Sequence, residues 1–243
     1  MFSIVEKEKK MITDTIIINL KKRVEKKEFA LNQATAYRLP KPHVLVATTP
    51  LSHRLGEKTG SNLSSSEKAC CISHVRIWKH FADLKSNEWI LVLEDDAFGM
   101  VDVETMRRVL TESTKKAPAY IDVINIGGRK RATPINLLLA GDSFNLYQYD
   151  ECLYHAYLIR KRACPLWSNV ALMSPKALDK IHQVHYLKGR YSVLDYIGEV
   201  KPLMDIPEHI TRVKLGRGVF SQIRGKATFE SDLSSERRRK KIT

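Results

Sequence analysis

The sequence predicts an α/β fold in which helices flank a mostly parallel central sheet. Short runs of β-branched and aliphatic residues alternate along the chain with segments of helical composition. Several of these runs are apolar throughout, as expected of strands that are buried on both faces. The chain has 243 residues, of which 43% are hydrophobic and 28% charged. This length suits one medium-sized domain, and the composition excludes collagen-like and wholly disordered proteins.

The first predicted elements are a strand, a helix and a second strand. Residues 15–20 (TIIINL) form a continuous apolar, β-branched run, and residues 21–34 after it have helical composition. Residues 43–47 follow two prolines and are predicted to form a neighbouring strand. Residues 50–66 are rich in Ser, Gly and Thr and predict a mobile loop.

An amphipathic helix is predicted to begin after Ser64. Ser64 is the expected N-cap, and Glu67 stands where it completes a capping box. The apolar side chains that follow recur at helical spacing and predict a face packed on the sheet. They are Cys71, Val75, Ile77, Trp78, Phe81, Ala82 and Leu84. Residues 89–93 (WILVL) then predict a buried strand, which leads directly into Glu94, Asp95 and Asp96.

The second half of the chain alternates less regularly. Residues 106–116 are predicted to be helical, and residues 121–126 to form a strand that ends at two glycines. Residues 154–159 and 169–174 are predicted strands, the second leading into a helix that begins near Pro175. No clear periodicity is found after Pro202.

The sequence argues against a membrane-spanning or a secreted protein. No apolar run approaches the roughly 18 residues that a membrane span needs. The N-terminal residues MFSIVEKEKKM carry Lys and Glu where a secretory signal has its apolar core, so we expect a cytoplasmic protein. The cysteines show no Cys-x-x-Cys spacing, which predicts reduced thiols and neither a zinc site nor a disulfide framework. They are Cys70, Cys71, Cys152 and Cys164.

Positive charge is concentrated in the second half of the chain. The net charge is +14, and residues 129–243 hold 21 basic and 11 acidic side chains, a net of 21 − 11 = +10. This predicts a polyanionic partner, either nucleic acid, an anionic lipid surface or a phosphorylated glycolipid. A basic surface that only keeps the protein soluble is the alternative. Residues 234–243 are predicted to be a basic, disordered C-terminal tail.

The acidic triplet Glu94, Asp95 and Asp96 is the clearest candidate site. Ligands of open α/β sheets bind at the carboxyl ends of the strands, and the triplet directly follows a buried strand. Three adjacent carboxylates repel one another, so a cation is expected to keep them ionised. Mg²⁺ or Mn²⁺ would suit these oxygen ligands, with substrate phosphates completing the coordination. A solvated polar loop, in which Asp96 caps a turn, is the alternative.

Two blocks of sequence resemble glycosyltransferase family 25, which includes lipooligosaccharide glycosyltransferases and collagen galactosyltransferase domains. They are residues 66–78 (SEKACCISHVRIW) and 89–96 (WILVLEDD). The family pattern is a Gly-Glu-x-Gly-Cys-x-x-Ser-His-x-x-x-Trp helix, followed by an aliphatic strand that ends in Glu-Asp-Asp. Residues 17–23 are similar to the first strand of the family, and weaker similarities extend over about residues 15–233. Ser66 and Ala69 replace glycines of the pattern.

The resemblance implies a GT-A-like single domain with a Rossmann-like nucleotide-binding half. The catalytic domain would span residues 1–233, with residues 234–243 as its tail. The implied reaction is the metal-dependent, inverting transfer of a hexose or pentose from a nucleotide sugar to a hydroxyl group. Mn²⁺ or Mg²⁺ would be the cofactor, because charge grows on the leaving diphosphate as the glycosidic bond breaks.

The resemblance also assigns roles to individual residues. Asp96 is the first candidate metal ligand, together with Asp95 and Glu94, and His209 is a possible late ligand. Asp195 is the candidate general base that takes a proton from the acceptor hydroxyl, with Glu199 as a substitute. The candidate donor-binding residues are Asn19, Leu20, Arg23, Ser73, His74, Glu94 and Asp95. Structural or surface roles are the alternatives for Arg23, His74 and Asp195.

The acceptor is expected to be polyanionic. Lipooligosaccharide or another glycan is the first expectation, reached by peripheral contact with the inner membrane face. A hydroxymethylated base in DNA, as in phage-type DNA modification, is the second, and a protein acceptor the third. A non-catalytic nucleic-acid-binding protein of the same fold is the alternative from another class. The candidate acceptor-binding residues are Arg129, Lys130, Arg131 and Arg160.

Overall fold

The computed structural model describes most of the chain between residues 11 and 224. The described residues are 11–58, 62–127, 134–149, 154–184, 187–199, 202–204, 212–214 and 218–224. Several predictions lie outside them, those for Arg129, Lys130, Arg131, His209 and the tail at residues 234–243.

The described residues contain eleven strands and four α-helices. The strands are β1 (Ile12–Asn19), β2 (Pro42–Val46), β3 (Trp89–Glu94), β4 (Ala97–Gly99), β5 (Val123–Asn125), β6 (Pro134–Ala140), β7 (Phe144–Tyr149), β8 (Ala156–Arg160), β9 (Tyr191–Tyr196), β10 (Arg212–Lys214) and β11 (Phe220–Arg224). The α-helices are α1 (Val24–Ala36), α2 (Ser65–Phe81), α3 (Val103–Lys116) and α4 (Cys164–Met173). Short 3₁₀ helices span His53–Glu57, Lys161–Ala163 and Leu178–Gln183.

Eight of the described strands form one twisted sheet in the order β2-β1-β3-β8-β5-β9-β7-β6. Strands β1, β2 and β3 pair in parallel, as do β5 and β9. Strand β8 is antiparallel to both of its neighbours, and so is β7. Six of these eight strands therefore run in one direction, which confirms the predicted α/β class with a mostly parallel sheet.

Helices cover both faces of the sheet, because each strand alternates its side chains between two apolar layers. On one face, Val92 of β3 packs in a core cluster with Trp78 of α2 and Trp167 of α4. On the other face, residues of α1 and α3 pack against Leu91 and Leu93. The C-terminal ends of β1, β3, β5 and β9 all lie at one edge, which we call the carboxyl edge of the sheet.

The predicted start of α2 is confirmed. The Oγ atom of Ser64 accepts from the backbone N–H of Glu67 at 3.2 Å, and Oε2 of Glu67 accepts from the backbone N–H of Ser64 at 2.9 Å. This reciprocal capping box satisfies two N–H groups at the helix N-terminus. The predicted apolar face is confirmed as far as Phe81, but Leu84 follows the helix and is 74% exposed.

The prediction for residues 169–181 is wrong. Residues 169–174, predicted as a strand, belong to α4 and its C-cap, and the helix predicted from Pro175 is only a short 3₁₀ turn. The buried side chains of α4 are Cys164, Trp167, Ser168 and Ala171, which follow the 3.6-residue period of a helix. A proline in the first turn favours this start.

The segment predicted as a mobile loop is partly ordered. His53–Glu57 form a 3₁₀ helix, and Lys58 after it is buried. The Nζ atom of Lys58 donates to the backbone carbonyls of Ala171 and Ser174. A lysine there suits the last turn of α4, where carbonyl groups lack helical partners and the helix dipole is negative.

A small second sheet lies beyond the carboxyl edge. It has the order β10-β11-β4, and both pairings are antiparallel. Strand β4 follows Asp96 directly, so the second sheet fixes the outgoing side of the acidic turn. The backbone N–H of Phe220 also donates to the carbonyl of Ile126 at 3.1 Å, which connects β11 to the end of β5.

Within the described residues, no helix has the length and apolar character needed to span a bilayer.

Candidate functional site

The acidic triplet lies at the carboxyl edge, where the side chains of Glu94 and Asp95 face different neighbours. Glu94 is the last residue of β3, and Asp95 and Asp96 form the turn before β4. Alternation along β3 directs Glu94 to the face covered by α2, the same face as Val92. Asp95 contacts α1 instead. Glu94 and Asp95 therefore lie in two environments, which does not fit one ion bound by both carboxylates.

Glu94 faces a buried histidine on α2. The Nε2 atom of His74 lies 3.4 Å from Oε1 of Glu94, and Nδ1 of His74 lies 2.8 Å from the Tyr157 hydroxyl on β8. That hydroxyl also accepts from Nε1 of Trp78 at 3.0 Å. Trp78, Tyr157 and His74 are fully buried, and the Glu94 side chain is 28% exposed. A chain of hydrogen bonds thus runs from the core to the edge.

The donors in this chain fit one tautomer of His74 in the absence of a metal. Indole N–H only donates, so Tyr157 must accept from Trp78, which leaves its own proton for Nδ1 of His74. A neutral His74 that accepts at Nδ1 carries its proton on Nε2, where it points at Glu94. The core therefore holds the imidazole with a donor towards the carboxylate.

Cys70 completes this group. It lies one turn before His74 on α2, and its Sγ atom is 3.9 Å from Oε1 of Glu94. Cys70, His74 and Trp78 are spaced by four residues, so they lie along one face of the helix. One ligand atom from each of Cys70, His74 and Glu94 falls within 4.8 Å of the others. The described cysteines Cys70, Cys71 and Cys164 are not joined in a disulfide.

The surroundings of Glu94 keep it ionised. Burial raises the pKa of Glu94, but the hydrogen bond from His74 and the electrostatic influence of His74, His155 and Arg23 lower it more, so the pKa lies below its usual value. The backbone N–H of Glu94 donates to the carbonyl of His155 at 2.7 Å. His155 was not predicted, although it directly precedes β8 at the carboxyl edge.

Asp95 is anchored by α1 and the turn before it. Its carboxylate accepts from Nδ2 of Asn19 at 3.0 Å and from Arg23 at 3.1 Å, and Nζ of Lys26 lies 3.7 Å away. Burial raises the pKa of Asp95, and the charges of Arg23 and Lys26 oppose that shift. Two cations beside this carboxylate repel a divalent ion, so the predicted metal role does not fit Asp95. Asp96 is buried at 6% exposure.

Comparison with known proteins identifies the sequence around this site. The sequence model described as glycosyltransferase family 25 (LPS biosynthesis protein) matches residues 12–130, which include β1, α2, β3 and the acidic triplet. Residues 12–130 belong to glycosyltransferase family 25. Comparison with the curated proteins finds no match.

Solved structures show only a distant likeness. One is the "crystal structure of a glycosyltransferase involved in the glycosylation of the major capsid of PBCV-1", with 12% identity, a TM-score of 0.42 and coverage of 75% of this chain and 81% of that chain. Another is mannose-1-phosphate geranyltransferase from Thermus thermophilus, with 12% identity, a TM-score of 0.38 and coverage of 76% and 73%. At this level of similarity, neither bears on the substrates of the present chain.

The family 25 motif on α2 has two faces with different roles. Cys70, His74 and Trp78 face Glu94 and Tyr157. Ser73 points elsewhere, because its Oγ atom accepts from the backbone N–H of Thr48 at 2.8 Å and donates to the carbonyl of Ala69 at 2.8 Å. Ser73 therefore joins α2 to the segment after β2, and both bonds are within the protein. This geometry does not fit its predicted donor contact.

The predicted acceptor residue Arg160 does not lie near Glu94 and Asp95. It pairs with Trp89 at the start of β3, at the edge opposite Glu94. Its guanidinium is buried, lies 4.2 Å from the centre of the Trp89 ring and donates to the carbonyl of Ile121 at 2.8 Å. Arg160 therefore stabilises the loop between α3 and β5, and this position does not fit its predicted acceptor contact.

Asp195 does lie at the carboxyl edge. It is near the end of β9, and Val193, two residues earlier, packs on the face covered by α2 and α4. Alternation puts Asp195 on that face, the same one as Glu94. Strands β8 and β5 separate β9 from β3, so three inter-strand steps of about 4.8 Å give a separation of about 14 Å.

The predicted donor residue Leu20 lies between Asn19 and Arg23 in the sequence, and its backbone carbonyl accepts from the Arg23 N–H at 2.8 Å.

Proposed function

We propose that the protein transfers a sugar from a nucleotide-sugar donor to a hydroxyl group of an acceptor at the carboxyl edge of its sheet. The observation that carries this proposal is that the family 25 match covers the elements that build the carboxylate site. Ligands of open α/β sheets bind at this edge, where adjacent parallel strands end. The partly exposed carboxylate of Glu94 stands there in ionised form.

The residues at the edge suit a departing nucleoside diphosphate. Glu94 and Asp96 supply hard oxygen donors, which fit Mn²⁺ or Mg²⁺ better than Asp95 does beside Arg23 and Lys26. When bound, such an ion neutralises the charge that grows on the leaving phosphate. Arg23 is 15% exposed and is held in position by Asp95. Its guanidinium can therefore pair with a donor phosphate without first losing much side-chain freedom.

Asp195 is the proposed general base for inverting transfer. It shares a face and an edge with Glu94, at a separation of about 14 Å by strand count. That separation leaves room for a sugar between a base and the group that holds its diphosphate. A base in this position would take the proton of the acceptor hydroxyl as the new glycosidic bond forms.

A polyanionic glycan is the proposed acceptor, and a phosphorylated glycolipid such as lipooligosaccharide fits best. The net charge of +14 supports this, because basic surfaces attract phosphorylated substrates and anionic lipid headgroups. The same charge supports a hydroxymethylated base in DNA as the second candidate. The cytoplasmic site of action is part of this proposal.

A panel of nucleotide sugars tests the proposal. Release of nucleoside diphosphate is measured with Mn²⁺, with and without lipooligosaccharide or hydroxymethylated duplex DNA. Glu94→Gln is expected to reduce turnover by about 100-fold or more, since a charge that stabilises the transition state is lost. Glu88→Gln is the matched control, because Glu88 precedes β3 at the opposite edge and its side chain is also 28% exposed.

The outcomes separate the alternatives. Turnover that depends on lipooligosaccharide supports the first acceptor, and turnover that depends on DNA replaces it with the second. Salt-sensitive DNA binding without release of nucleoside diphosphate from any donor would identify a non-catalytic binding protein. Equal turnover of Glu94→Gln and Glu88→Gln contradicts the proposed site.

A further inference from the structure

The cluster of Cys70, His74 and Glu94 has the arrangement of a three-ligand metal site. Cys70 and His74 are separated by four residues on α2, so their ligand atoms extend from one helix face on successive turns. Glu94 approaches them from the end of β3. Helix ligands spaced at i and i+4, with a third ligand from elsewhere in the fold, are a known arrangement for zinc.

Two of the three ligand distances are close to those around a tetrahedral ion, and the ligand atoms of Cys70 and His74 lie within 4.8 Å of each other. Zn²⁺ bonds of about 2.0 Å to nitrogen, about 2.1 Å to oxygen and about 2.3 Å to sulfur place tetrahedral ligands about 3.4–3.6 Å apart. Oε1 of Glu94 lies 3.4 Å from Nε2 of His74 and 3.9 Å from Sγ of Cys70. Both spacings are long for good hydrogen bonds, but they need only small adjustments to accommodate an ion.

The chemistry of these ligands selects a soft or borderline metal. A thiolate and an imidazole favour Zn²⁺ over Mn²⁺ and Mg²⁺, which prefer oxygen ligands. Tyr157 lies 2.8 Å from the other ring nitrogen of His74, in the position of the outer partner that metal-binding histidines require. The cluster opens to solvent, since Cys70 is half-buried and the Glu94 side chain is 28% exposed.

We propose that Cys70, His74 and Glu94 bind one Zn²⁺ ion, with an open fourth position for water. On binding, the thiol of Cys70 releases its proton to solvent. The Nε2 atom of His74 gives up its proton to bind the ion, and Nδ1 takes up a proton in exchange, so that the imidazole stays neutral. The Tyr157 hydroxyl then accepts from both Nδ1 of His74 and Nε1 of Trp78. This site differs from the proposed Mn²⁺ or Mg²⁺ site in using sulfur and nitrogen ligands from α2. The two sites share Glu94, so Zn²⁺ withdraws that carboxylate from the donor.

Inhibition by zinc is a consequence that rests on the proposed function, whereas zinc binding itself does not. The binding experiments below therefore use no enzyme activity. If they succeed and no sugar transfer is ever found, the metal site stands and only the proposed function fails.

Cobalt provides a direct test of the ligands. Co²⁺ added to the full chain is expected to bind one-to-one, with a thiolate-to-cobalt charge-transfer band in the near ultraviolet and visible bands of a tetrahedral ion. Cys70→Ala is expected to lose the charge-transfer band. Cys71→Ala is the matched control, because Sγ of Cys71 donates to the carbonyl of Ala171 instead. Cys152→Ala, outside the described residues, is expected to retain the band as well.

A second measurement uses only the wild-type chain, so its result does not depend on whether a variant folds. Iodoacetamide is applied to the native protein with and without Zn²⁺, and alkylation of each cysteine is read by mass spectrometry. Zn²⁺ is expected to protect Cys70 selectively, and a chelator to restore its alkylation. Equal alkylation of Cys70 with and without Zn²⁺, or a cobalt band that persists in Cys70→Ala, overturns the proposal.

Discussion

We predict that Tyr157→Phe destabilises the folded protein, because the Tyr157 hydroxyl bridges two buried side chains. This substitution keeps the ring but removes the partner of two buried groups, Nε1 of Trp78 at 3.0 Å and Nδ1 of His74 at 2.8 Å. Each buried polar group left without a partner costs about 1–3 kcal/mol, so the free energy of unfolding should fall by about 2–6 kcal/mol. The variant should also release His74 from its fixed tautomer.

Urea denaturation measures this loss. A central loss of about 4 kcal/mol, divided by a slope of about 3 kcal/mol per molar urea, lowers the unfolding midpoint by about 1.3 M. Tyr120→Phe is the control, because Tyr120 is 56% exposed, and a surface change of this kind should stay within about 0.5 kcal/mol. The ¹⁵N shifts of the imidazole should report a proton on Nε2 in the wild type. A midpoint that moves no more than in Tyr120→Phe refutes the hydrogen-bond chain.

Two further predictions concern buried thiols and a crowded glycine. Burial raises the pKa of Cys71 to about 11 and that of Cys164 to about 12. Between about pH 9 and these values, the thiols lose their protons only in the unfolded chain. The free energy of unfolding should therefore fall by about 1.4 kcal/mol per pH unit for each thiol. Urea titrations at pH 8 and 10 check this, and an equal pH slope in wild type and Cys71→Ala contradicts it. A Cβ atom at Gly127 would overlap the imidazole of His155, so Gly127→Ala should cost about 1–3 kcal/mol in thermal unfolding, whereas Gly56→Ala, with open space around it, should not. Equal melting temperatures for the two glycine variants would refute the predicted overlap.

The elements predicted best have local signals that agree with their packing. The capping box at Ser64 and the apolar face after it fixed the start of α2, and the five-residue apolar run before Glu94 gave β3. Residues 169–174 were misassigned because a short apolar run fits a strand or a helix equally well. The proline in the first turn of α4 and the spacing of its buried residues were the signals that favoured a helix.

The candidate site was predicted only in part, because its geometry depends on pairings between distant segments. The sequence located Glu94, Asp95 and Asp96 at a strand end, but in the structure Glu94 faces α2 and Asp95 faces the start of α1. Tyr157 and His155 reach Glu94 only because β8 pairs antiparallel with β3. Nothing in the local sequence of β8 specifies that neighbour. The proposed zinc ligands could not be predicted from Cys-x-x-Cys spacing either, because they combine Cys70 and His74 of one helix with the carboxylate of Glu94 at a strand end.

The pairing of β4 with β11 has a consequence for how the protein is made. Gly99 pairs with Phe220, which is 220 − 99 = 121 residues away, so the turn that bears Asp96 acquires its outer strand only after those residues have been synthesised. A nascent chain released at residue 130, the end of the family match, would expose the unpaired edges of β3 and β4. Such edges recruit other chains, so we expect that fragment to aggregate once it leaves the ribosome. Recombinant work on this site therefore needs the chain through β11.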